Sequence, residues 1–216
     1  PPRSTLFPYT TLFRSDPCRE TRSHRSVAGP SQERAGDREW KRLMLSVALL
    51  HWPCLDKNGN EIATAITNLD LHDCARVCLT YGIDTLYIVH PNRGQLDFAG
   101  RITEHWLRGF GGQYNPSRKR ALEIIRLAAG LDEVKRQTKA LMVGTSARTT
   151  PGCITWSEAR VLAHTRDTCL LFGTGWGIST RMFEAFDAVV EPIAGRGDFN
   201  HLSVRAAVAI AIDRIA

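Results

Sequence analysis

From residue 44 onward, hydrophobic residues follow two alternating patterns. Uninterrupted apolar runs predict buried strands at residues 45–52, 85–90, 140–144, 168–172 and 188–190, with a further candidate at 121–127. Between them, helical spacing predicts helices at residues 69–81, 96–108, 132–138, 156–164, 179–186 and 202–215, and residues 109–116 form a glycine-rich loop. Strands that alternate with helices and are apolar throughout are typical of parallel sheets covered on both faces. The pattern therefore predicts an α/β domain with a mainly parallel sheet flanked by helices.

Residues 1–43 show neither the strand pattern nor the helix pattern. The tripeptide Thr-Leu-Phe occurs at residues 5–7 and again at 11–13, and residues 16–42 show almost no apolar periodicity. Such a segment buries too little apolar surface to offset the ordering of its chain, so we expect an N-terminal extension that is disordered. Its first fifteen residues resemble the translation of a sequencing adapter, so we expect the extension to be either disordered or artefactual and Met44 to be the natural start of a domain at 44–216. The alternative is a basic arm that tethers RNA.

Charge and composition narrow the class of protein. The 216-residue chain carries a formal charge of +6. Residues 1–43 hold nine Lys/Arg and five Asp/Glu, which is +4, so the rest carries only +2 and bulk charge does not itself indicate a polyanionic partner. No apolar run is long enough for a membrane span, and no secretion signal opens the chain. Six cysteines without such a signal indicate reduced thiols and a cytoplasmic protein.

Three loops that follow predicted strands are rich in small and polar residues. They cover residues 145–148, 173–177 and 191–201. Ligands of open parallel sheets bind beyond the carboxyl ends of the strands, so three such loops indicate one composite pocket. The glycine spacing of residues 173–177 fits neither the dinucleotide fingerprint nor a P-loop. No metal motif accompanies Cys74 and Cys78, which we interpret as buried core thiols, and we expect no metal.

The start of the helix at 69–81 carries an unusual cation. Asn68 or Asp70 can cap this helix, and acids suit its positive end. Arg76, one turn further on, is electrostatically misplaced there. We therefore expect a group that holds it, such as a phosphate or Asp73.

Four stretches together resemble the SPOUT class of S-adenosylmethionine-dependent RNA methyltransferases, in particular a small group of stand-alone bacterial SPOUT domains. They are LLHWPCLDKNGNEIATAITNLDLHDCAR (49–76), the loop at 111–118 with its Tyr-Asn-Pro, LLFGTGWGIS (170–179) and EPIAGRGDFNHLSVRAAVAI (191–210). The resemblance covers residues 44–216. It implies a homodimer with a C-terminal trefoil knot, S-adenosylmethionine as cofactor, and tRNA or rRNA as partner.

The resemblance also implies roles for individual residues. The cofactor would lie among three walls, formed by Thr145 and Ser146, by Gly173, Gly175 and Gly177, and by Ile193, Asn200, Leu202 and Ser203. Arg76 resembles an arginine that some SPOUT groups place near the acceptor, and Asp198 is a candidate proton acceptor, although it can equally cap the closing helix. Asn68, Arg118 and Arg148 are the candidate RNA-binding residues.

Three functions remain open at this stage. The first is methyl transfer to a nucleotide of structured RNA. The second is a catalytically silent RNA-binding or assembly protein on the same fold, which intact glycine loops disfavour. The third, a nicotinamide-dependent oxidoreductase, is disfavoured by the glycine spacing.

Overall fold

The computed structural model describes residues 43–197 and 199–216. The predicted extension, apart from Leu43, and the candidate Asp198 lie outside these residues, so both predictions about them stay predictions. None of the helices in the described part is long and apolar enough to cross a membrane.

Six parallel strands form the central sheet, in the order β5-β4-β1-β7-β6-β8. This confirms the predicted α/β class. β1 lies between β4 and β7, and Leu50 at its end is in register with both Val89 and Gly173. The loops that follow β1, β4 and β7 therefore start from the same edge of the sheet. The strands are β1 (Leu45–Leu50), β4 (Leu86–Val89), β5 (Ile125–Ala128), β6 (Leu141–Thr145), β7 (Thr168–Gly173) and β8 (Ala188–Val190), and β2 (Cys54–Leu55) and β3 (Glu61–Ile62) form a separate antiparallel pair.

Helices cover both faces of the sheet. Val47 and Leu49 of β1 pack into the larger core, whereas Ala48 and Leu50 point into the smaller one, as the two-residue period of a strand requires. On the larger face lie α1 (Asn68–Thr80), α2 (Arg93–Leu107), α4 (Pro116–Leu122), α6 (Trp156–Thr165) and α7 (Val204–Ile215), and on the smaller face α5 (Leu131–Thr138) and a 3₁₀ helix (Thr180–Ala185). Apart from α4, these helices follow the predicted ones closely, including the end of α1 before Gly82, whose φ is +73°.

Two predictions for residues 109–127 are wrong. The glycine-rich segment forms a short helix, α3 (Phe110–Tyr114), and the predicted strand at 121–127 is divided between the end of α4 and β5. Gly111 and Gly112 are buried against the end of α2, where a Cβ atom would lie 2.9 Å from the Trp106 ring and 2.2 Å from the Trp106 carbonyl oxygen, respectively. These glycines therefore serve close packing.

The helix caps also differ from expectation. Thr67, and neither Asn68 nor Asp70, caps α1: its hydroxyl accepts a hydrogen bond from the Asp70 amide at 3.2 Å and donates to the Asp70 carboxylate at 2.6 Å. The closing helix begins at Val204, and Ser203 caps it by accepting from the Ala206 amide at 3.2 Å. Ser203 is therefore the cap of this helix among the described residues.

Candidate active site

A cavity of about 600 Å³ lies at the carboxyl ends of β6 and β7, beside the first turns of α1 and α7. Its volume is typical of a small-molecule site. All nine residues that the resemblance assigns to the cofactor line it: Thr145, Ser146, Gly173, Gly175, Gly177, Ile193, Asn200, Leu202 and Ser203. The three loops thus form one composite pocket, as the strand order predicts.

The loop at 173–177 is held by β2. The Leu55 amide donates to the Gly177 carbonyl at 2.9 Å, and the Trp176 amide donates back to the Leu55 carbonyl at 3.0 Å. Gly175 has a φ of +60°, and a Cβ atom there would lie 3.0 Å from the Leu55 oxygen. The loop's own backbone therefore favours glycine at this position.

Side chains fix the other two walls of the cavity. The Thr145 hydroxyl donates to the Leu171 carbonyl at 2.9 Å, and the Ser146 hydroxyl accepts from the Arg148 amide at 3.0 Å. The Asn200 side-chain oxygen accepts from the Gly195 amide at 3.2 Å, which closes the turn before α7. These contacts hold both loops against the cavity.

A buried polar cluster lies behind the cavity. The hydroxyls of Thr64 and Thr174, both in the cavity wall, are hydrogen-bonded to each other, and Thr64 also bonds the His51 Nδ1 atom at 3.1 Å. His51 is fully buried and its Nε2 atom has no hydrogen-bond partner. Burial lowers the pKa of His51 to about 4, with a smaller opposing effect of Asp70, so His51 is neutral at neutral pH.

Asp70 and Arg205 form an ion pair in the cavity wall that sequence reasoning missed. The Arg205 Nη1 atom lies 2.9 Å from the Asp70 carboxylate, and its Nε atom lies 3.4 Å from that of Asp73. Asp70 is buried, whereas about a third of the Arg205 side chain is exposed. Among the described lining residues, Asp70 is the only carboxylate, and Arg148 and Arg205 are the only arginines.

Three predicted residues lie outside the cavity lining. Arg76 and Asn68 are exposed on α1, and Arg118 of α4 lies over the Trp106 ring, 4.9 Å from its centroid. Asp73, which we expected to hold Arg76, pairs with Arg205. Arg118 and Arg76 nevertheless both act on His72. Burial lowers the pKa of His72 most, and the charges of Arg118 and Arg76 lower it further.

The two helix cysteines are core residues, as predicted. Cys74 and Cys78 are fully buried in the larger core. Burial raises the pKa of Cys78 to about 12 and that of Cys74 further still. Both therefore remain protonated thiols.

Sequence relatives cover most of the described chain. A protein of Aquifex aeolicus whose name states no function is 43% identical over 177 residues, which cover 78% of this chain and 86% of that protein. A tRNA (guanine-N(1)-)-methyltransferase of Nitratidesulfovibrio vulgaris is 37% identical over 177 residues, or 79% of this chain. The chain spans only 41% of the length of that relative.

The fold has solved counterparts as well. A probable methylase family protein of Haemophilus influenzae superposes with a TM-score of 0.55 at 17% identity, covering 79% of this chain and 64% of that one. Residues 44–216 match the family described as SAM-dependent RNA methyltransferase. The chain therefore belongs to this S-adenosylmethionine-dependent RNA methyltransferase family, as the resemblance seen in its sequence implies.

Proposed function

We propose that this protein transfers the methyl group of S-adenosylmethionine to a nucleotide of structured RNA, either tRNA or rRNA. One observation carries the proposal: nine residues from three separate loops, chosen by resemblance to SPOUT enzymes, line a single cavity. The named relative that modifies guanine in tRNA favours tRNA over rRNA.

The lining fits the cofactor chemically. Trp156, Phe172 and Trp176 supply apolar surface for an adenine ring, and Arg148 supplies a cation for the carboxylate of the methionine part. When bound, the cofactor supplies an activated methyl group on a sulfonium, which needs positioning and shielding from water. The cavity walls can provide the positioning, because they are fixed by hydrogen bonds on three sides.

Asp70 and Arg205 would face the acceptor nucleotide. Asp70 fixes the guanidinium of Arg205, whose remaining N–H groups can hold a phosphate or a developing negative charge on the acceptor atom. Arg76 and Asp198 remain the candidates that the resemblance supplies, and Asn68, Arg118 and Arg148 remain the candidates for RNA contact. Arg148 is supported by its exposed place at the rim of the cavity.

We also propose the trefoil knot that the resemblance implies. β8 has β6 along one edge, while on its other edge the Ile154 amide donates to the Val189 carbonyl and the Glu191 amide donates to the Ile154 carbonyl, both at 2.8 Å. Residues 146–153 therefore loop around the end of β8. The chain leaving β8 must then return to α7, which packs against α1 and α6. Passage through that loop is the simplest route.

A homodimer is the assembly that we propose. α7 buries Val208, Ala211, Ile212 and Ile215, yet its apolar residues Ala209 and Ile210 are only half-buried in the single chain. A second copy that covers this face with its own identical face would complete the burial.

We also propose that the protein acts in the cytoplasm, where its proposed substrates, tRNA and rRNA, are found.

Calorimetric titration with S-adenosylmethionine separates the enzyme from the silent alternative. An enzyme binds the cofactor saturably at the cavity, whereas a silent RNA-binding protein on this fold binds RNA without it. If no heat of binding is detected at millimolar cofactor and tRNA still binds, the result would favour the silent protein.

A further inference from the structure

The basic charge of the described chain is concentrated in one short segment. Residues 105–122, which span the end of α2, α3 and α4, contain four Lys/Arg and no Asp/Glu. The whole of residues 44–216 carries a net charge of only +2 by the same count. This segment is therefore a local positive surface on a nearly neutral domain.

Two aromatic rings stand exposed in the same segment. Phe110 and Tyr114 are 72% and 79% exposed, and their rings stack with centroids 6.2 Å apart and planes 25° apart. Exposed aromatic pairs lose the burial that normally stabilises them, so their position needs a cause.

That cause is the close packing of α3 on α2. Gly111 and Gly112 press against Trp106, while Phe110, directly before them, and Tyr114, two residues after Gly112, are left exposed. Asn115 then begins α4 by accepting from the Arg118 amide at 2.9 Å, and Arg118 covers the Trp106 ring. The two exposed rings thus project from a well-packed base.

The segment also adjoins the cavity through α1. α4 packs against α1, and the first turn of α1 supplies Thr67 and Asp70 to the cavity wall. A long ligand bound at the cavity can therefore continue along α1 to α4.

We infer that the Phe110–Tyr114 pair, with the cations of residues 105–122, docks an unpaired stretch of the substrate RNA; the inference rests on the proposed function. Unpaired bases stack on exposed aromatic rings, and the phosphates between them are drawn to Lys and Arg. Paired bases offer no free face for stacking. A second copy of this chain fits the surface poorly, because two such positive segments would repel each other.

The aromatic part is tested by Phe110→Ala/Tyr114→Ala against Phe98→Ala, an exposed phenylalanine in an earlier turn of α2. The probes are a short single-stranded adenosine oligomer, its duplex of equal length, and unmodified tRNA, each followed by fluorescence anisotropy. The double variant should bind the single strand and tRNA about tenfold more weakly, while Phe98→Ala binds as the wild type does. Binding of the duplex should change in neither variant.

The cationic part is tested by the salt dependence of the same binding. Arg108→Gln/Arg120→Gln should lower the slope of log affinity against log salt by about 1.4 for the single strand, because two phosphate contacts are lost. Arg136→Gln, a matched exposed arginine on α5 at the opposite face, should leave the slope unchanged. The aromatic double variant should weaken binding at an unchanged slope.

Two results would overturn the inference. One is wild-type affinity of the aromatic double variant for both RNAs, and the other is a change of that variant from dimer to monomer in light scattering, which would make the surface a contact between copies. Cofactor titration of each variant keeps the two proposals apart. If the wild type and the double variant both bind S-adenosylmethionine and methylate tRNA, the proposed function stays intact.

Discussion

At the scale of single residues, the loops that the resemblance assigns to the cofactor line one cavity, and the structure shows what holds them there. Gly175 is the clearest case, because its φ of +60° would strain any side chain and its Cβ atom would lie 3.0 Å from the Leu55 oxygen. Sequence alone showed a glycine cluster and could not show which backbone angle each glycine adopts.

Gly175→Val tests this assignment. Holding a β-branched residue in the left-handed region costs about 1–2 kcal/mol, and the loop relieves that cost by moving away from β2. We expect a folded protein whose affinity for S-adenosylmethionine falls more than tenfold in calorimetric titration. Gly130→Ala serves as the control, because its Cβ atom meets nothing within 4 Å. Normal affinity of Gly175→Val would remove the loop from the site.

Asp70 and Arg205 show what sequence reasoning missed. They lie 135 positions apart, so only the fold brings them together. One signal was present: Arg205 is a cation in the first turn of an apolar helix, the same electrostatic misplacement that drew attention to Arg76. Only Arg205 lies in a first turn, because α1 begins at Asn68 and Arg76 lies beyond its second turn, so the expected misplacement of Arg76 is wrong.

Arg205→Lys and Arg76→Ala distinguish the two arginines. Lysine keeps the charge of Arg205 but loses its planar set of donors, so methyl transfer should fall on the order of tenfold to a hundredfold. The cofactor dissociation constant should stay within about twofold in both variants. Arg76→Ala should also reduce transfer if the RNA extends along α1. Arg214→Lys, on the exposed side of α7, is the control for the first variant. Unchanged transfer by Arg205→Lys would leave the ion pair a purely structural contact.

His51 predicts a specific loss of stability in acid. Its pKa is about 6.5 unfolded and about 4 folded, so the unfolded chain binds more protons between these values. Its stabilising contribution is complete above pH 6.5 and is lost as the pH falls towards 4. Between about pH 7 and pH 5, the loss in the free energy of unfolding should be about 2 kcal/mol.

Urea denaturation of the wild type and of His51→Gln at the two pH values measures this effect. Glutamine keeps a polar partner for Thr64 but does not titrate. The variant should lose about 2 kcal/mol less than the wild type on acidification. An equal loss in both proteins would assign the acid sensitivity to other groups, such as His72 and His90, whose pKa values burial also lowers.

At the scale of elements, apolar runs predicted five of the six sheet strands within a few residues. The pattern failed at α3 and α4, where three glycines and an Asn-Pro pair looked like a loop. Those glycines instead allow a helix to pack on Trp106, which is a tertiary contact that local composition does not contain. The separation of α4 from β5 was missed because residues 121–127 are almost continuously apolar.

α7 carries the prediction about assembly. Ala209 is half-buried and follows the fully buried Val208 in the chain. A charged side chain at position 209 would therefore lie in the contact with a second copy that covers Ala209. Ala209→Glu should shift the protein from a dimer of about 48 kDa, twice the chain mass of 24.1 kDa, to a monomer or an aggregate in light scattering. Glu in place of Arg214, an exposed residue of the same helix, is the matched control. A wild-type monomer that transfers methyl groups would contradict the dimer.

At the scale of the whole molecule, a parallel sheet collects three loops at one edge and α1 extends the site towards a basic, aromatic segment. The resemblance supplied the family and the cofactor that we propose, and the fold supplied the ion pair proposed to face the acceptor and the surface proposed to dock RNA. Both depend on one central claim, which is that the cavity serves methyl transfer to RNA.

The most direct measurement is transfer of an isotope-labelled methyl group from S-adenosylmethionine to RNA purified from a strain that lacks this gene. The account predicts label at one defined nucleotide of tRNA or rRNA, seen by mass spectrometry of nuclease fragments. It also predicts no label in RNA from the parent strain, where the position is already methylated, and strongly reduced label with Gly175→Val. RNA from the deletion strain that stays unlabelled, although the protein binds both the cofactor and that RNA, would contradict the account.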